Sequence, residues 1–148
     1  MPKPFSRGLM PARRLDGKSG TAALEFAVVA PVLMLMLIGM VLLGFYFTLL
    51  HEVQELASSS ARASVAGVTD VERQALAQQF VADYTAASGL LLPADITVAT
   101  GTVGSPAIAY QVSVTYDLKD TPIPALGSLI SLPAATIQRV AQVQLGGY

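Results

Sequence analysis

The chain has 148 residues, 53% of them hydrophobic and only 13% charged, with a mean hydropathy of +0.56. A soluble domain carries nearer a quarter charged residues, so much of this surface belongs in lipid or against a partner. Cysteine is absent, which excludes disulfides and thiolate metal sites.

The net charge of −1 hides an asymmetry. Residues 1–20 hold Lys3, Arg7, Arg13, Arg14 and Lys18 against Asp16, a net +4, whereas the remaining 128 residues hold four basic and nine acidic groups, a net −5. No basic patch lies outside the head, so no nucleic-acid partner is expected.

From Phe26 to Leu50 run 25 residues without a charge. About 20 apolar residues span a bilayer as a helix, and a secretory signal peptide has an apolar core of only ~7–15. The run therefore predicts a transmembrane helix over 26–50. Its basic flank places the N-terminus in the cytoplasm and the chain after Leu50 outside. Phe45, Tyr46 and Phe47 stand where aromatic rings favour the outer interface. Pro31 lies inside the run, removes a backbone donor and predicts a mild kink.

Glu25 opens the apolar run. A carboxylate at mid-bilayer costs roughly 2.5–3.5 kcal/mol on insertion scales, and less at the edge. By itself Glu25 fits an interfacial acid in the first turn of a helix as well as it fits a functional group. Its surroundings read Lys18-Ser19-Gly20-Thr21-Ala22-Ala23-Leu24-Glu25-Phe26-Ala27, with Pro31 following. A basic polar head, a glycine and then an uninterrupted apolar helix let a membrane-embedded peptidase reach the Gly20–Thr21 junction at the bilayer face. Gly20 has no Cβ and adopts extended or left-handed backbone readily, which suits a scissile residue ahead of a helix start near Ala23. Cutting there keeps the whole anchor on the mature chain.

These residues resemble the type IVb prepilin signal, and most closely the TadE-like family of tight-adherence (Flp/Tad) pilus systems. The resemblance covers roughly residues 17–65 and rests on Gly20 ending the leader and on Glu25, Phe26, Ala27 and Pro31 at the family's spacing. It implies removal of residues 1–20 by a prepilin peptidase, with Thr21 the first mature residue, Glu25 the fifth and Phe26 the sixth. It also implies a bacterial inner-membrane location, and other pilin subunits and a pilus assembly platform as partners. Thr21 would then carry a free ammonium four residues from Glu25, on the same helix face. Glu25 can pair with its own N-terminus or with a neighbouring subunit's, and the resemblance favours the neighbour. A buried pair of that kind sets register more reliably than it adds stability.

Beyond the membrane, Val53, Leu56, Ala57, Ser60, Ala61, Ser64 and Val65 recur at helical steps, and Gly67 predicts a stop. Helix from about Ala23 to Ala66 would measure roughly 65 Å. The small residues Ala57, Ser60, Ala61 and Ser64 admit another element closely, and packing on the chain's own ectodomain is preferred to packing between subunits. Thr69-Asp70-Val71-Glu72 reads as a capping box opening a second helix that ends at Gly89, with Val71, Ala75, Leu76, Phe80, Val81 and Tyr84 as its inner face.

Three strands are then expected, about 96–103, 107–119 and 136–145, the second alternating Ile108, Tyr110, Val112, Val114 and Tyr116. Gly104-Ser105-Pro106 reads as a hairpin turn. In the third strand Ile137, Ala141, Val143 and Leu145 face in, with Val140 marking either a bulge or the opposite phase. The apolar, proline-interrupted loop 120–133 is expected to cover the small sheet, with docking on a neighbour as the alternative.

The resulting fold class is α+β, in three regions: leader 1–20, long helix 21–67 and extracytoplasmic domain 68–148. No cofactor, metal or small-molecule substrate is expected, nor enzymatic activity. His51 is the sole histidine, at the membrane boundary. The acids Asp70, Glu72, Asp83, Asp95, Asp117 and Asp120 fall mostly at turns and element ends, where caps and solvated faces use them. The resemblance implies a pilin or pseudopilin acting in assembly, initiation and surface adherence, and because major pilins of that system are generally shorter, the length favours a minor one. The alternatives are an uncleaved signal-anchored ectodomain binding an envelope partner, and an accessory subunit of a secretion complex.

Overall fold

Leucine, methionine, alanine and valine in an unbroken apolar run propagate a helix cheaply once it is nucleated. In the computed structural model, which describes residues 17–124 and 135–145, that run belongs to one helix, α1 (Gly17–Ser64). The chain falls into two units, residues 1–38 and 39–148, with α1 running through both.

In the first unit the described side chains from Thr21 to Ile38 are exposed, apart from half-buried Ala30. Pro31 lies inside the helix, as expected. The helix begins at Gly17, earlier than Ala23, so Gly20 is helical. The apolar run extends the helix backward through a glycine that costs about 1 kcal/mol relative to alanine.

The second unit holds the core. Leu49, Val53, Leu56, Ala57, Ser60, Ala61 and Ser64 form one buried stripe of α1. The two serines satisfy their hydroxyls within the helix, Ser60 Oγ donating to Ala57 O (3.0 Å) and Ser64 Oγ to Ala61 O (2.6 Å). They present only small volume to their neighbours, so the small-residue stripe packs into the chain's own core. Ala61→Leu should overfill it and cost about 1–3 kcal/mol, read from denaturation of the detergent-solubilised full chain. An unchanged midpoint would contradict that packing.

The helix ends at Ser64, three residues before Gly67, which lies buried in the following turn. A Cβ there would stand 2.7 Å from the backbone nitrogen of Arg73, so Gly67 serves a close approach between the turn and the next helix. That helix, α2 (Asp70–Ser88), opens on the expected capping box: Thr69 Oγ1 accepts from Glu72 N (3.3 Å), and Glu72 Oε2 accepts from Thr69 N (3.1 Å) and Val68 N (2.9 Å). Gly89 closes it in the left-handed conformation (φ +63°).

The Thr69 backbone N–H above all, with that of Val68, holds the Glu72 carboxyl below its ordinary value of 4.5. The charged form is the stabilised one, so its contribution is present above pH 4.5 and is lost as pH falls through the lowered value. Thermal melts of wild type and Glu72→Ala should differ at neutral pH and converge on acidification.

The buried face of α2 differs from the expected one. Ala77, Val81 and Thr85 are buried, Arg73, Leu76, Phe80 and Tyr84 half-buried, while Val71 is 78% exposed and Ala75 is exposed. The phase follows a 73-77-81-85 line. Arg73 is committed to Gly67 and to the Tyr110 ring (5.9 Å), and Thr85 is cheap to bury because its hydroxyl donates to Val81 O (2.9 Å) and Ala82 O (3.0 Å).

After a short 3-10 turn (Pro93–Asp95), three strands form an antiparallel sheet in the order β1 (Ile96–Val103), β2 (Ala109–Asp117), β3 (Thr136–Gln144). The central strand buries Tyr110, Val112, Val114 and Tyr116 on one face, while Gln111 and Thr115 alternate half-buried on the other. Register between β2 and β3 is unbroken, so Val140 is no bulge: it sits opposite Ser113 on the outer face. Of the apolar loop, Ile123 is buried, and the expectations for 125–133 lie outside the described residues.

Candidate functional site

The residues expected to carry processing and assembly lie in the first turns of α1. Gly20 is exposed, and a Cβ built on it meets nothing within 4 Å. Packing within the chain therefore places no demand for glycine there. Thr21 and Glu25 follow on exposed helix, one turn apart, and Phe26 stands 69% exposed beside them. Among the described residues Glu25 has no ion-pair partner. The helix thus brings Gly20, Thr21, Glu25 and Phe26 together in two turns of exposed surface, with Pro31 a turn beyond. The expectation of an extended or left-handed Gly20 is corrected: it is helical, and the only positive-φ glycines among the described residues are Gly89 and Gly104. Residues 1–16, most of the expected leader, lie outside the described residues.

Two polar contacts in the second unit escaped the pattern reading, because partners far apart in sequence leave no periodic signal. Tyr84 Oη donates to Glu52 Oε2 at 2.6 Å, tying α2 to α1. That bond above all, with burial and the charges of Glu52 and Glu55, pushes the Tyr84 phenol up to about 12. Asp95, expected among solvated turn acids, is buried instead. Its Oδ1 forms an ion pair with the Lys119 ammonium at 3.0 Å, neither carboxylate oxygen has a hydrogen-bond partner among the described residues, and the lysine stays mostly exposed. The Asp95 carboxylate and its charge raise the Lys119 pKa. The pair ties the start of β1 to the residues just after β2. No group of three potential metal ligands occurs among the described residues.

Residues 20–62 match the model of a family described as TadE-like protein. The match opens at Gly20 and stays within α1, so it covers the motif and nearly all of the rest of that helix and not the sheet. No curated protein and no solved structure matches the chain.

Proposed function

We propose, with the TadE-like segment 20–62 as premise, that this chain is a minor pilin or pseudopilin of a Tad-type type IVb pilus. It is made with a cytoplasmic leader, cut after Gly20 by a prepilin peptidase, and held in the bacterial inner membrane by α1 with its C-terminal domain outside. Its role is structural: it joins other pilin subunits at the assembly platform and acts in pilus assembly and adherence. The observation that carries this is the coincidence of the family match with the Gly20–Pro31 motif on a helix whose apolar side chains are left exposed. An interfacial acid of an ordinary anchor would account for Glu25 taken alone, and the family match over the same residues favours the functional reading.

Exposed apolar residues from Leu24 to Val41 support the spanning helix, because in water they would bury nothing. The basic head supports the inward N-terminus. Electron micrographs of cells lacking this chain test the role: surface filaments should be lost or sharply reduced, and regained on complementation. Undiminished filaments would favour the signal-anchored ectodomain instead.

A further inference from the structure

The expected span 26–50 and the ectodomain claim the same residues. Leu49 is fully buried in the ectodomain core, with Phe45, Tyr46 and Leu50 packed half-buried against it. Met40, Val41, Leu43 and Phe47 of the same unit remain exposed. Within this unit, therefore, no charged residue separates the exposed apolar part of α1 from the domain core.

Which end of the domain lies there follows from its contacts. The 2.6 Å bond between Tyr84 and Glu52 sets α2 level with α1 at those residues. One further turn of each, about 5.4 Å, brings Ser88 level with Thr48. The chain then passes through residues 89–95 into β1, whose first residue Ile96 pairs with Tyr116 near the end of β2. Lys119 reaches back to Asp95 at 3.0 Å, and Leu118 N donates to Ala135 O at 3.0 Å. At the opposite end Arg73 lies over the Tyr110 ring, joining the first turn of α2 to the start of β2. So 89–95 and 118–124 share the end at which α1 enters the domain. That end exposes Leu92 (46%), Pro93, Ala94, Pro122 and Pro124. Its one lysine is taken up by Asp95 and lies 4.0 Å from Asp117, with Asp120 exposed beside it, so attraction to anionic headgroups is not what the surface offers.

We infer that this end of the ectodomain rests in the headgroup layer of the extracytoplasmic leaflet, with Leu92 reaching the acyl boundary. The contact is apolar, lies at the same end of this unit as the exposed Met40, Val41, Leu43 and Phe47, and is suited to zwitterionic lipid. It rests on the membrane-spanning reading of α1.

The chain has no cysteine, so single-cysteine variants take one label each. Full-length Leu35→Cys, Leu92→Cys and Val68→Cys proteins would carry a fluorophore in phosphatidylcholine vesicles bearing nitroxide quenchers on headgroups and upper acyl chains. All three positions are exposed, so the labels spare the core. Labels at 35 and 92 should be quenched several-fold more than the one at 68. Quenching at 35 without quenching at 92 overturns the contact and leaves the span standing, including the case in which the label at 92 is shielded by protein. Quenching at neither overturns both.

Discussion

Gly20→Leu protein should accumulate at full length in membranes where the wild type is shortened by its twenty-residue leader. Open space surrounds the position a Cβ would take on this exposed turn, so the described fold places no demand for glycine there. The block arises at the peptidase. A scissile peptide must leave the helix to be cut, and leucine favours the helix over glycine by somewhat less than the roughly 0.8–1.0 kcal/mol that separates alanine from glycine. The larger side chain also has to fit wherever the peptidase admits glycine. Gly20→Ala separates these effects, since alanine is the better helix former and much the smaller group. Efficient cutting of the alanine variant assigns the block to size. A leucine variant cut normally after residue 20 would remove Gly20 from the site.

Glu25→Ala should leave membrane insertion intact and abolish recovery of the protein in sheared filaments. An acid displaced into hydrocarbon costs roughly 2.5–3.5 kcal/mol on insertion scales, so its removal can only ease anchoring. What the variant loses is a partner for an ammonium. In the processed chain Thr21 would supply one, on the same helix face or from a neighbouring subunit. Leaving either charge unpaired in lipid is costly, whereas the pair together fixes the register at which subunits meet. Glu25→Gln keeps the shape and should fail as well. Uncleaved Gly20→Leu lacks the ammonium at Thr21, so adding Glu25→Ala to it should worsen nothing. Normal filament recovery with Glu25→Ala would remove the pairing argument.

The parts of this molecule that periodicity could reach were the ones where neighbours in sequence decide the outcome. The Thr69–Glu72 box, the Gly89 cap and the alternation of β2 from Tyr110 to Tyr116 are local devices, and each is present where the residues indicated, whereas Ile108 falls before the strand and is exposed. The face of α2 was not local. Its sequence is alanine- and glutamine-rich with a weak apolar stripe, and the choice between Val71 and Ala77 fell to Gly67 and Arg73 meeting across the corner. The outer phase of Val140 was set by pairing with β2. Asp95 looked like any turn acid until Lys119, on the far side of a hairpin, came within 3.0 Å. At the motif, residue types and spacing were legible, and the backbone at Gly20 was not. A glycine has little preference of its own, and the long apolar helix imposed its conformation.

The most direct test of the central claim is the N-terminal residue of the protein purified from membranes of cells with an active prepilin peptidase. Sequencing and intact mass should give a chain that begins at Thr21. A chain that still begins at Met1 beside that active peptidase would contradict the account.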